Sequence, residues 1–549
     1  MPFGRPSITD WLFGPGPNDP GKLWPRWLWL RALGLIFFSA FYSLAFQIQG
    51  LVGPEGILPA RDYLQQVAEQ LGASRFWYAP TLLWFGSGSS ALASLWLVGL
   101  VASILLILNV WPRASIAACF LAYLSFVAVG QDFAQYQSDG MLLSAAFLSL
   151  FAAPPGLRPR LGRDHPPSRA TVFMLLWLWF RIYFESGLVK LASHDPQWRN
   201  LTALDQYYQN GPLPDWIGWY AQHLPHGFQA AITLATLVIE LGLVWLMFAP
   251  RRVRLALFFI VTPFQLGIIL TANLAFLNHL VLSLGILLLD DHFLLHALSW
   301  INPRLGLTAM PRLRAGIDPS AADLGAVGAS ATASAADAMH ARGGLVSLRR
   351  RASTVAVAVI LIWIFYATAG ELVMMLAPAL PLPLGPVTAL EPFRIADQYG
   401  LFAVMTTARY EIEFQGSNDG KNWIAYPFRY KPQRLDHPPR FFAPYQPRFD
   451  WNLWFASLGA WRQYPWVVRT EVLLLRNDPA VISLFDGNPF GPVPPKRVRA
   501  VEWQYWFTTL QQKRTTGEWW RREYRGLYGP GLELTPDGKA NALEWPAQQ

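Results

Sequence analysis

Residues 171–189 read TVFMLLWLWFRIYFESGLV, an unbroken apolar run apart from two charges, Arg181 and Glu185. As a helix such a run reaches about 28 Å, close to the thickness of a bilayer's hydrocarbon core. The charges stand four residues apart, so they share one helical face and can neutralise each other at membrane depth. Working outward, comparable stretches run at about 27–49, 91–110, 114–131, 138–153, 229–249, 254–272, 275–290 and 353–377, which makes nine candidate spans. The stretches 138–153 and 275–290 are short and Pro263 interrupts 254–272, so a re-entrant pair is an alternative to nine full crossings.

Composition points the same way. Of 549 residues 53% are hydrophobic and 14% are charged, against about 25% charged in soluble chains. The 26 Trp, 35 Phe and 19 Tyr suit membrane–water interfaces, because an indole or phenol has one apolar and one polar end. A single cysteine, Cys119, excludes an intramolecular disulfide, a zinc ribbon and a CxxC redox centre. The net charge of +9 falls mainly in alternate connections between apolar runs. Arg5, Lys22 and Arg26, then Arg113, Arg158 to Arg169, Arg251 to Arg254 and Arg304 to Arg351 lie on one side; few cations lie on the other. The charge therefore reads as orientation, with the N-terminus inside, and not as a nucleic-acid footprint.

The expected fold is a polytopic α-helical membrane protein of about nine spans with a C-terminal extracytoplasmic β-rich domain. Residues 1–26 form a cytoplasmic N-terminal segment without an evident cleavable signal peptide, and 27–300 a helical membrane domain of about eight spans. Residues 301–352, rich in Ala, Gly, Ser and Arg, read as a disordered cytoplasmic linker. Residues 353–377 are the last span. Pro378, Pro381, Pro383 and Pro386 then stop the helix, and 378–549 turn to a period-two pattern. Tyr410 to Phe414 alternates, Gly416 to Gly420 turns the chain, and Trp423 to Tyr430 runs back as a β-hairpin. A helix-like piece near 451–460 and a tail with Trp503, Trp506, Trp519 and Trp520 complete this domain.

No phosphate loop, GxSxG elbow, HExxH or dinucleotide fingerprint stands in a suitable context. Ionisable groups at membrane depth carry more information, since they are costly unless paired or facing a cavity. Glu240, Asn273, Asn278 and His279 either line a cavity or hydrogen-bond a neighbouring helix. Lys190, directly after the fifth span, is either a base made neutral by desolvation or a snorkelling anchor. His194, Asp195, His223 and His226 are too loosely spaced to predict a metal site.

Three strings carry a resemblance. Ser186-Gly187-Leu188-Val189-Lys190-Leu191 with Asp195-Pro196-Gln197-Trp198-Arg199-Asn200-Leu201-Thr202-Ala203-Leu204, Pro212-Leu213-Pro214 and Trp219-Tyr220 through His223-Leu224-Pro225 is the first. Tyr399 to Thr407 with Arg409 to Ile412 and Gly416 to Gly420 is the second, and Pro444 to Trp451 with Trp454 to Gly459 the third. Together they resemble the lipase maturation factor family over roughly 50–470. The resemblance implies a polytopic protein with an extracytoplasmic C-terminal domain. Animal members reside in the endoplasmic reticulum and assist folding and assembly of secreted homodimeric lipases. A fainter resemblance, through Tyr183, Gly187, Leu188, Lys190, Leu191 and Trp198, is to the membrane region of vitamin K-dependent carboxylases.

The expected role is therefore a maturation factor for exported client proteins, lipases among them, embedded in membrane lipid. The short loops and Ala/Arg-rich linker suggest a bacterial inner membrane with a periplasmic C-terminal domain. No cofactor is expected, and the placement of Cys119 inside a span argues against thiol exchange. Client-facing candidates are Asp195, Trp198, Arg199, Asn200, Trp219, Tyr220 and His223 in the 190–228 loop, Arg409, Tyr410, Asn418 and Asp419 in the hairpin, and Arg448, Asp450, Trp451 and Trp454 downstream. The rival reading is a membrane enzyme acting with a lipid quinone, Lys190 serving as base and Arg181, Glu185 and His279 lining its cavity.

Overall fold

Apolar length and helix punctuation convert most of the expected spans into helices. A computed structural model describes residues 12–13, 21–301 and 333–547, excepting the side chains of 301 and 333–350. The helices that build the membrane domain are α1 Leu23–Ala45, α2 Ser89–Ile107, α3 Pro112–Val129, α4 Gln137–Ala152, α5 Arg169–Ala192, α6 His226–Leu241, α7 Arg251–Thr271, α8 Leu277–Gly285 and α9 Ala333–Leu376. Pro112 opens α3, where its missing N–H costs nothing, and the Ser168 hydroxyl caps α5 by accepting from Thr171 N.

Among the described residues seven helices are long and apolar enough to cross a membrane, α6 being extended for this purpose by the 3-10 turn Leu243–Phe248 and α9 contributing Arg351–Leu376. The count of nine expected from sequence thus includes two weaker members. Helix α4 has 16 residues, and α8 with its continuation to Leu288 bends by 98° into Asp291–Trp300. Both lie largely within protein: 12 of the 16 residues of α4 and six of the nine of α8 are buried, and Ser144 on α4 donates to the Arg394 carbonyl at 3.0 Å. A helix surrounded by neighbours need not match the bilayer's thickness.

Residues 302–332 of the expected linker lie outside the described residues, as does most of the segment before Gly21. Residues 333–350, expected to be disordered, are helical and run directly into the last span.

Close packing organises the bundle. Phe37 and Phe41 of α1 meet the Tyr123 ring edge-on at 5.8 and 5.7 Å. A Cβ on Gly99 of α2 would lie 2.2 Å from the Phe41 ring, so only glycine admits this approach. The basic helix ends gather at one face: Arg26 donates to the Ala152 and Gly162 carbonyls, and Arg251 pairs with Asp290 at 2.5 Å.

The C-terminal domain covers the opposite face. Its six-stranded antiparallel sheet has the order β2-β1-β3-β5-β6, with β4 also paired to β3. The strands are β1 Arg409–Ser417, β2 Ile424–Ala425, β3 Arg497–Phe507, β4 Trp520–Leu527, β5 Gly531–Leu534 and β6 Ala540–Glu544. Helix α10, Arg448–Ala456, takes in 451–456 of the 451–460 stretch expected to be helical and begins three residues earlier, and α11, Pro465–Leu475, packs on β3. The expected hairpin exists, but its return strand is cut to β2. Pro427 has no N–H to continue the ladder, and β1 pairs along its whole length with β3 instead.

Candidate functional site

The three strings singled out in the sequence converge where the two domains meet. Tyr399 to Met405 lies against the end of α5 and the following loop. There Tyr399 N donates to Glu185 Oε2 at 2.8 Å, Trp198 Nε1 donates to the Phe402 carbonyl at 2.9 Å, and Met405 N donates to Asp195 Oδ2 at 2.6 Å. Arg181 pairs with Glu185 at 2.6 Å and also donates to the Asp397 carbonyl at 2.5 Å. The polar face shared by these two α5 residues therefore holds a C-terminal segment. Burial pushes the Asp397 carboxyl up to about 6.

The 440–454 segment forms the second dock. Asn273, in the turn after α7, accepts from Phe442 N and Ala443 N at 3.0 and 3.1 Å and donates to the Arg440 carbonyl at 2.7 Å. Arg448 reaches into the membrane domain, where it meets Asp139, Tyr123 and the Phe133 carbonyl. Trp454 Nε1 donates to the Asn210 carbonyl at 3.1 Å.

Polar residues of β1 continue this junction inward. Arg409 lies 2.5 Å and Lys431 2.9 Å from Glu411. Arg409 also donates to the Gln209, Gly211 and Pro212 carbonyls. Burial pulls its guanidinium below the ordinary value while Glu411 holds it up. Asp450 accepts from Tyr430 N and Lys431 N, both at 3.2 Å, and burial pushes its carboxyl up to about 6 against the pull of Lys431.

These positions show where the client-facing candidates lie. Asp195, Trp198, Trp219, Arg409, Arg448, Asp450, Trp451 and Trp454 are buried; all but Asp450, which is bonded within the C-terminal domain, meet the other domain across the junction, and Trp451 and Trp454 also line a cleft there. Trp219 Nε1 donates to the Trp519 carbonyl at 3.1 Å. The His223 ring lies between the Trp219 and Thr508 carbonyls at 2.7 and 2.9 Å, while His226 faces Asp205 at 2.8 Å. Tyr410 and His223 are half-buried, whereas Arg199, Asn200, Tyr220, Asn418 and Asp419 are exposed. Asp419 turns the hairpin by accepting from Lys421 N and Asn422 N at 2.8 and 2.7 Å, and those bonds lower its pKa.

Two hollows flank the junction. One, of about 430 Å³, opens between the domains and is lined by Tyr207, the 400–406 segment and the α10 side chains Trp451, Trp454 and Phe455, with Leu458 just beyond. Its rim exposes Val404, Phe455 and Leu458 by 66%, 38% and 45%.

The second, about 550 Å³ and overwhelmingly apolar, lies among α5, α6, α7 and α8 beneath the 198–224 loop. Phe228, Ile232, Thr236 and Glu240 line it at helical spacing from α6. In its wall Lys190 Nζ donates to both Glu240 oxygens at 3.1 and 2.8 Å and to the Ser186 carbonyl at 3.3 Å. Lys190 also stands 5.1 Å over the Trp198 ring. Arg181, Glu185 and His279 do not line this cavity, which corrects their expected place beside Lys190. The sequence reading left Glu240 either in a cavity wall or bonded to a neighbouring helix and did not pair it with Lys190; the stripe Phe228, Ile232, Thr236 and Glu240 on α6 was the signal for the wall.

A family model described as the lipase maturation factor transmembrane domain matches residues 24–296, and one described as the lipase maturation factor C-terminal domain matches 395–530. Lipase maturation factor 2 of Homo sapiens is 32% identical over 598 residues, covering 94% of this chain and 83% of that protein. The chain belongs to the lipase maturation factor family. Within the family, lipase maturation factor 1 of Mus musculus is 29% identical, with 99% of this chain and 94% of the relative covered. Lipase maturation factor 1 of Bos taurus is 30% identical, with 96% and 92% covered. No solved structure matches the chain. Both matched family ranges contribute to the junction and to the 430 Å³ cleft.

Proposed function

We propose that this protein assists the maturation of exported lipases by holding an apolar segment of the incompletely folded client in the cleft between its two domains. The observation that carries this reading is the exposed apolar rim of Val404, Phe455 and Leu458 around a hollow walled by both domains. Large apolar side chains grouped at a cleft mark surfaces that bind partners. The cleft lies on the face opposite the basic helix ends, which by charge asymmetry is the extracytoplasmic side; in a bacterial inner membrane that is the periplasm. A client emerging from export would meet it there.

The test replaces Val404 and Leu458 with Asp and measures, in cells co-expressing a homodimeric lipase, both exported lipase protein and lipase activity. Both side chains are exposed, so the variant folds, as thermal unfolding of the purified protein checks. Activity per unit of exported lipase is expected to fall while the amount of lipase changes less. Undiminished specific activity with a folded variant overturns the assignment.

A further inference from the structure

The 550 Å³ cavity is of the size that binds small molecules, and its chemistry restricts what would enter. Among the described residues its only charged lining groups, Lys190 and Glu240, neutralise each other, and the three N–H groups of Lys190 are already directed at Glu240 and Ser186. An ionised head would find no free counter-charge and would lose its hydration. Tyr183 offers something different. Its hydroxyl accepts from Gln265 Nε2 at 2.7 Å, and among the described residues its own proton has no acceptor. Gln265 is fixed in turn by Asn278 Nδ2, which donates to Gln265 Oε1 at 2.7 Å. One oriented O–H in an apolar chamber suits an uncharged oxygen acceptor such as a carbonyl.

The surroundings supply the remainder of the ligand. The cavity lies between α6 and α7, whose outward faces expose Leu234, Val238, Leu266 and Leu270. Those faces meet acyl chains when the helices span a bilayer, so the adjoining reservoir is hydrocarbon.

We infer that this cavity binds an uncharged long-chain lipid, its hydrocarbon chain lying between α6 and α7 and a carbonyl oxygen accepting from Tyr183. A neutral acylglycerol and an oxidised lipid quinone share that chemistry. The cavity shares a wall with the client cleft at Tyr207, Leu274, Leu277, Leu401 and Phe402, but Tyr183 and Gly267 line the cavity alone and Val404 and Leu458 the cleft alone, so variants at these positions test the two readings independently.

Gly267 gives a clean block. It lines the cavity, and a Cβ built there meets nothing within 4 Å, so Gly267→Leu fills the chamber without displacing its walls. Gly227→Leu, also open but outside the lining, is the control. The full-length protein in mild detergent would be photolabelled with a monoacylglycerol bearing a diazirine in its chain, and the labelled peptides identified by mass spectrometry. Label is expected in α6 and α7, to fall roughly tenfold in Gly267→Leu and to persist in Gly227→Leu. Dioleoylglycerol is expected to compete, and oleate to fail at matched concentration. Competition by decylubiquinone in place of dioleoylglycerol would assign the same pocket to the quinone source. Label spread evenly over the spans, label unchanged by Gly267→Leu, or oleate competing as well as the neutral lipid would each overturn the inference.

Discussion

Arg448 of the C-terminal domain donates to both carboxylate oxygens of Asp139, at the start of α4, at 2.8 and 2.9 Å. The Tyr123 hydroxyl donates to Asp139 Oδ1 at 2.6 Å and accepts from Arg448 at 2.9 Å. All three side chains are buried. A fork-to-fork pair of this kind fixes orientation as well as distance, so it sets how the sheet domain sits on the helical one. Lysine, with a single ammonium, could not reproduce both contacts and the bond to the Phe133 carbonyl in the same planar arrangement.

Removing one partner is therefore expected to do more damage than removing both. Arg448→Ala leaves Asp139 buried without a counter-charge, a change that costs about 3–5 kcal/mol in such settings. Thermal unfolding in detergent should shift down accordingly, and protease should cut more readily between residues 378 and 395. Arg448→Met combined with Asp139→Leu should recover most of the loss. A double variant as unstable as Arg448→Ala alone would show that the pair is not the source of the effect.

Asp450 predicts a pH dependence. Burial raises its carboxyl to about 6, above the unfolded value of about 3.9, so the folded state holds the proton more tightly. Its contribution to stability is full below about pH 3.9 and is lost as pH rises through about 6. The two-unit gap corresponds to about 3 kcal/mol at most. Asp450→Asn keeps an acceptor for Tyr430 N and Lys431 N but cannot ionise. Measured by unfolding between pH 4.5 and 7.5, the Asp450→Asn variant should gain on wild type by about 1–3 kcal/mol as pH rises. Burial also raises Asp215 and Asp397 to about 6, and comparing the two proteins cancels their share. A difference that stays flat across the range would remove Asp450 from the account.

Apolar length is a local property, which is why the spans were legible in the sequence, and charge asymmetry ordered their ends for the same reason. Where a residue's meaning depends on a distant partner, pattern alone misled. The alternation Tyr410-Glu411-Ile412-Glu413-Phe414 suggests a half-exposed strand, yet Glu411 and Glu413 are buried because Arg409 on the same strand and Lys431 and Arg522 from other segments pair with them. The strings that carried the family resemblance were similarly read as an outer surface. Much of them forms the seam, where Trp198, Arg409, Arg448 and Trp454 are bonded across the two domains, while Arg199, Tyr220 and Asp419 stay exposed. Lys190 was visible as an oddity; that Glu240 answers it across fifty residues required the packing of α5 against α6.

The loop after α5 separates structural from binding roles within two adjacent residues. Trp219 is fully buried, its ring tilted against His223 and edge-on to Phe507 and Trp519, whereas Tyr220 is 50% exposed. Trp219→Ala is expected to cost about 3–5 kcal/mol and to raise hydrogen exchange across 203–224. Tyr220→Ala should change stability by about 0.5 kcal/mol or less. Equal exchange in the two variants would contradict the anchoring role given to Trp219.

Lys190 and Glu240 allow the structural and catalytic readings to be separated by a double-mutant cycle. The pair is enclosed by α5, α6 and the Trp198 ring. Lys190→Met strands the Glu240 carboxylate, and Glu240→Gln strands the ammonium, so each alone is expected to cost about 3 kcal/mol in detergent unfolding. Together the two should cost less than either alone, which corresponds to a coupling of more than about 3 kcal/mol. If the lysine serves only to neutralise Glu240, the double variant should also retain the proposed lipase-maturation activity, which Lys190→Met is expected to reduce through instability. A stable double variant without that activity would instead require the amine itself, which would give Lys190 a chemical role beyond the pairing seen here.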